Sequence, residues 1–128
     1  MDKKKRILIV DDDLDLLEQM TIILTAAEYD VSTAASQAEG EEAILAGRPD
    51  LVILDLMMEN MDSGFVLCHS CKTLYPDMPV ILLTAVASTT EMEFAADTEE
   101  ERSWIKADVM LAKPARPETI KHEVARLL

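Results

Sequence analysis

Four places along the chain set a charged or hydroxyl side chain at, or one residue beyond, the end of a short apolar run. Asp11-Asp12-Asp13 follows Ile7 to Val10, Asp55 follows Leu51 to Leu54, Thr84 follows Val80 to Leu83, and Lys113 follows the shorter run Val109 to Leu111. Carboxylates gathered in one crevice repel, and the repulsion is relieved by protonation or by a hard cation that prefers oxygen ligands, such as Mg2+. A bound divalent ion is the simpler inference. Asp13, immediately before Leu14, is read as a helix N-cap. Asp55 is read differently: the following Leu56-Met57-Met58 offers it no turn or cap to serve, and its strand is apolar throughout, so its role is chemical.

Other patterns only imitate chemistry. Asp11, Asp13 and Asp15 fall at positions one, three and five of a calcium-binding loop, but position six is Leu16 instead of glycine and position twelve is Ile22 instead of glutamate. Cys68 and Cys71 form one C-x-x-C, half of a structural zinc site at most, and are read as two helix residues one turn apart. His69 and His122 fall on expected helices without the company a ligand or phosphotransfer histidine needs, and are read as solvent-exposed.

The elements that must position these residues follow from hydrophobic periodicity. Ile7 to Val10, Leu51 to Leu54 and Val80 to Leu83 are continuous apolar runs, which suit strands buried on both faces. Asp30 to Thr33 and Val109 to Leu111 are weaker strand candidates. Between them the period becomes helical: Leu14, Leu17, Ile22 and Leu24 outline a first helix, and Ala38, Ala43, Ile44 and Leu45 a second, with Ser36 as N-cap and Gly47 as its stop. Phe65, Leu67, Cys68, Cys71 and Leu74 trace a third, a fourth is expected within Thr89 to Lys106, and Pro117 opens a last one carrying Ile120, Val124 and Leu127. Strands alternating with helices predict an α/β domain, a doubly wound five-stranded parallel sheet with helices on both faces, (βα)5 and flavodoxin-like. In such a sheet ligands bind beyond the carboxyl ends of the strands, where Asp11, Asp12, Asp55, Thr84 and Lys113 converge.

At 128 residues the chain is one domain's worth, residues 1–128, and 49% hydrophobic with 29% charged residues is ordinary globular composition. A net charge of -13 opposes nucleic-acid binding by this chain. No apolar run approaches a membrane span, and Ile7 to Val10 is too short for the core of a signal peptide, so the expected location is the cytoplasm.

The residues that carry these features, Ile-Leu-Ile-Val-Asp11-Asp12-Asp13, Leu-Val-Ile-Leu-Asp55-Leu-Met-Met, Val-Ile-Leu-Leu-Thr84-Ala85 and Lys113-Pro114, resemble the response-regulator receiver (CheY-like) family in order and spacing, from Arg6 to Leu128. The resemblance implies a phosphorylation switch of a two-component system or phosphorelay. Asp55 would be the phospho-acceptor; Asp12, assisted by Asp11 and by the Met57 backbone carbonyl, would hold Mg2+; Thr84 and Lys113 would hold phosphoryl oxygens. The Lys113-Pro114 bond is cis in that family. The implied donor is a sensor histidine kinase or phosphotransfer protein, and output passes through a downstream protein or an effector domain beyond this chain. Such a domain assists its own phosphorylation and dephosphorylation without being an enzyme in the usual sense.

Departures from the family pattern are specific. Met110 stands where an aromatic is usual, Lys106-Ala107 replaces the common Gly-Ala, and the stretch from Thr84 to Lys113 is longer than usual, with six carboxylates between Glu91 and Glu101 that are read as a solvated acidic helix. Glu59 stands where proline is common, and Ser63 resembles a one-residue insertion before Gly64. Apolar Met57 and Val86 beside the site predict slow self-dephosphorylation, and Trp104 is expected to pack in the core or against the fifth strand. Two other readings compete. A pseudo-receiver that docks without being phosphorylated is suggested by Met110 and opposed by Asp12, Asp55, Thr84 and Lys113. A small Mg2+-dependent phosphohydrolase would use the Asp11-x-Asp13 pattern, but it lacks the further acidic motif after Lys113 and a substrate cap.

Overall fold

In the computed structural model, residues 4–56, 58, 63–84, 108–112 and 116–128 are described. The elements run β1 (Arg6–Val10), α1 (Leu14–Ala26), β2 (Asp30–Ala34), α2 (Gln37–Ala46), β3 (Leu51–Asp55), α3 (Ser63–Leu74), β4 (Val80–Thr84), β5 (Val109–Ala112) and α4 (Pro117–Leu127). The expected helix within Thr89 to Lys106, Trp104, Val86, Glu59 and the Lys113-Pro114 bond lie outside the described residues.

The five strands form one parallel sheet in the order β2-β1-β3-β4-β5. Winding reverses at β1, so the carboxyl ends of β1 and β3 flank the crevice where such sheets bind ligands. The continuous apolar runs are explained by two cores. Leu8, Val10, Val52, Leu54, Val80 and Leu82 face one way, against Ile44 of α2 and Leu67, Cys68 and Cys71 of α3. Ile7, Ile9, Leu51, Ile53, Ile81 and Leu83 face the other, against Leu17, Met20 and Leu24 of α1 and Ile120 and Val124 of α4. Alternate residues of each strand feed alternate cores, so no position in the run tolerates a polar side chain.

Local signals hold where they rest on hydrogen bonding. Ser36 caps α2 by accepting from the Glu39 N–H at 3.1 Å, Gly47 follows its last residue, and Pro117 opens α4. Cys68 and Cys71 are buried on α3 and not joined in a disulfide. Burial, reinforced by Cys68 and partly offset by Lys72, pushes the Cys71 thiol up to about 12. His69 and His122 are exposed on α3 and α4.

The helix faces need correction. Leu14 and Ile22 of α1 are exposed and Met20 is buried in their place. At ~100° per residue, Ile22 lies roughly 140° around the helix from Leu17, on the solvent flank. Leu45 of α2 and Leu74 of α3 are also exposed. Each helix buries only a narrow stripe on the sheet, and apolar residues beside that stripe stay in water.

At the amino-terminal edge of the sheet, opposite the carboxylates, α3 is tied to the strands by polar contacts. The Lys72 ammonium donates to the Met78 carbonyl at 2.7 Å and to Asp108 Oδ2 at 2.8 Å. The same carboxylate oxygen accepts from the Val80 N–H at 2.8 Å, fixing the start of both β4 and β5. No helix among the described residues is long and apolar enough to cross a membrane.

Candidate functional site

The β1–β3 register pairs Val10 with Leu54, so the next residue of each strand, Asp11 and Asp55, reaches the same edge of the sheet side by side. Both are buried polar residues, Asp11 with 0% and Asp55 with 3% of its surface exposed. The Asp11 N–H donates to the Ala34 carbonyl at 3.0 Å, which prolongs the β1–β2 pairing by one residue. Asp11 Oδ1 accepts from the Asp13 N–H at 2.9 Å, turning the chain sharply toward α1.

Asp13 then caps α1, its Oδ1 accepting from the Asp15 N–H at 3.1 Å and the Leu16 N–H at 3.2 Å. This separates the three consecutive aspartates as their neighbours predict: Asp13 serves the helix, while Asp11 and exposed Asp12 remain with Asp55. One carboxylate oxygen from each of Asp11, Asp12 and Asp55 lies within 4.8 Å of the others. An all-oxygen, triply anionic donor set with two buried members and one open to solvent fits a hard divalent cation that keeps some of its water.

The β3–β4 register pairs Asp55 with Leu83, which places Thr84 one residue further on the neighbouring strand, almost fully buried. Thr84 in turn pairs with Ala112 of β5, the residue before Lys113. Lys113 and Met57 themselves lie outside the described residues. Met110 is half-buried and packs against the core beneath α2 and α3.

Two further residues adjoin the site. Ser63 is the first residue of α3 and is fully buried. Gly64 follows it, and its N–H donates to the Leu56 carbonyl at 2.8 Å. Sequence reasoning saw only a length difference there; the one available signal was a glycine next to a small hydroxyl residue at a helix start.

Residues 7–125 match the family described as response regulator receiver domain. Among curated proteins the chain is similar to the DNA-binding response regulator MtrA of Mycobacterium tuberculosis, 33% identical over 126 residues, which is 97% of this chain and 49% of that protein. The chain spans about half the length of such relatives. Among solved structures it is similar to the response regulator TrrA of Thermotoga maritima in complex with Mg(2+)-BeF, with a TM-score of 0.79 and 29% identity, covering 97% of this chain and 99% of that one. A CheY-like receiver domain protein from Methanospirillum hungatei gives a TM-score of 0.81 at 29% identity, covering 97% of this chain and 93% of that one.

Proposed function

Because the chain belongs to the response regulator receiver domain family, whose members are signalling domains of two-component systems, we propose that Asp55 is its phospho-acceptor. Asp11, Asp12, Asp55 and the backbone carbonyl of Met57 would hold Mg2+. The observation that carries this reading is the meeting of the Asp11, Asp12 and Asp55 carboxylates within 4.8 Å at the strand ends. A ligand of this kind on the similar TrrA structure, Mg(2+)-BeF, supports the choice of metal.

In the proposed step an Asp55 oxygen attacks phosphorus while the bond to the donor's imidazole nitrogen breaks. The imidazole of a sensor histidine kinase or phosphotransfer protein leaves with the electron pair and takes a proton from water. The bound ion would supply positive charge against the carboxylates and phosphoryl oxygens. The Thr84 hydroxyl and the Lys113 ammonium hold the phosphoryl oxygens, and the burial of Thr84 one residue beyond the Asp55 row supports its share. The domain thus assists its own phosphorylation, and apolar Met57 and Val86 make loss of the phosphoryl group slow.

The two charge states of Asp55 favour different arrangements of β5 and the segment before it. That change is read by a downstream protein or by an effector domain. A net charge of -13 argues that this chain is not itself the nucleic-acid-binding part of any such assembly. We assign residues 1–128 to one domain, acting in the cytoplasm.

Thermal unfolding tests the proposal. Mg2+ at ten times its dissociation constant should stabilise the folded state by about 1.4 kcal/mol, and Asp12→Ala should largely remove that gain. Mg2+ with beryllofluoride should add a further rise that Asp55→Asn abolishes. An unchanged melting temperature at millimolar Mg2+ would refute the metal site.

A further inference from the structure

We propose that Gly64 is a positioning residue for phosphoryl transfer, holding Asp55 through the backbone; this rests on Asp55 being the phospho-acceptor. A Cβ at Gly64 would lie 2.5 Å from the Asp55 carbonyl oxygen, 2.5 Å from the Leu56 Cα and 3.0 Å from the Asp55 carbonyl carbon. The first turn of α3 therefore rests on the main chain of the phospho-acceptor itself, at a distance that no side chain allows. The seam is also hydrogen bonded. The Leu56 peptide is held on one side by its N–H to the Leu83 carbonyl at 2.8 Å and on the other by its carbonyl to the Gly64 N–H at 2.8 Å.

The usual reason for a glycine does not apply. Among the described residues no glycine has a positive φ, so Gly64 is not present for a left-handed turn, and within a helix glycine is less stabilising than alanine. What remains is the close approach. Gly40 in α2 provides the contrast: a Cβ there would meet Val10 Cγ1 at 3.0 Å, Val10 Cγ2 at 3.2 Å and Leu67 Cδ1 at 3.3 Å. Those are side chains of the core and can shift. At Gly64 the neighbours are backbone atoms that cannot rotate away, so alanine must drive α3 and the end of β3 apart by at least the half ångström that separates 2.5 Å from the 3.0 Å floor of real contacts. A nucleophile must be held to about 0.5 Å, and misplacement by about 1 Å costs roughly 100-fold in rate.

The test follows Asp55 phosphorylation by acetyl phosphate at saturating Mg2+ with intact-mass spectrometry, for the wild-type chain, Gly64→Ala and Gly40→Ala, with Mg2+ affinity from calorimetry. Circular dichroism gives the folded fraction, and trimethylamine N-oxide is added to keep weakened variants folded. Gly64→Ala should lose roughly 10-fold or more in rate, half of the ~1 Å penalty on a logarithmic scale, while Mg2+ affinity, supplied largely by Asp11 and Asp12, changes only a few-fold. Gly40→Ala should keep a near wild-type rate per folded molecule even if it melts earlier. A folded Gly64→Ala that phosphorylates within about three-fold of wild type, or a Gly40→Ala that loses as much, overturns the proposal. Should Gly64→Ala not fold even with the osmolyte, amide exchange in the wild-type chain decides. Mg2+ with beryllofluoride should slow exchange at Gly64 and not at Gly40, and equal effects would overturn the positioning role. Failure of the wild-type chain to be phosphorylated would instead refute the reading of Asp55 on which this rests.

Discussion

Replacing Asp55 by asparagine should stabilise the metal-free protein, although the side chain is nearly fully buried. The reason is charge. Carboxylate oxygens of Asp11, Asp12 and Asp55 lie within 4.8 Å of one another; two unit charges at that separation repel by about 3.5 kcal/mol at an effective dielectric constant of ~20 and by about 0.9 kcal/mol in water. Asp12 is exposed and admits solvent to the cluster, so a net gain of about 1–2 kcal/mol is expected, or roughly 3–10 °C in melting temperature for a chain of this size. Urea and thermal unfolding in EDTA at low salt, then in 10 mM Mg2+, provide the assay. In EDTA the Asp55→Asn chain should be the more stable. In Mg2+ the gap should close or reverse, because wild type keeps all three carboxylates for the ion. A variant no more stable than wild type in EDTA would refute the claim that the three carboxylates act on each other as a strained anionic cluster.

The remaining predictions concern stability and recognition. With the Cys71 thiol raised from 9.0 to about 12 in the folded state, its contribution is intact below about pH 9 and declines as pH rises from 9 toward 12, by about 1.4 kcal/mol per pH unit. Urea midpoints of wild type should therefore fall more steeply between pH 8 and 10.5 than those of Cys71→Ala, and parallel curves would contradict the burial argument. Lys72→Met should cost about 1–2 kcal/mol, since it removes an ammonium bonded to Met78 and Asp108; the half-open Asp108 side chain, 37% exposed, keeps the loss from being larger. A melting temperature within 1 °C of wild type would refute that magnitude. Leu14, exposed where α1 leaves the site, should matter only for a macromolecular donor. Leu14→Glu should slow phosphotransfer from a histidine-phosphorylated protein while leaving acetyl phosphate turnover unchanged, and equal effects on both donors would contradict it.

The sequence made the sheet legible because each central strand is buried on both faces, so its run of apolar residues needs no phase to be recognised. The candidate site was legible for a related reason: a charged residue ending such a run must emerge at the sheet edge, and Asp13 could be set apart by its place before Leu14. Helix faces were harder. Leu14, Ile22, Leu45 and Leu74 satisfy a helical period, but whether an apolar residue beside the stripe is covered depends on how the helix lies on the sheet. Gly64 and the Lys72–Asp108 tie were not legible at all. Gly64's partners lie 8 and 9 residues away and that of Lys72 36, and they meet only because α3 crosses β3 and β4 as it does.

Intact-mass spectrometry after incubation with acetyl phosphate tests the central claim most directly. The wild-type chain with Mg2+ should gain one phosphoryl group, and the adduct should be absent in EDTA and in Asp55→Asn. A wild-type chain that gains no phosphoryl group, or an Asp55→Asn chain that still gains one, would contradict the assignment of Asp55 as the phospho-acceptor.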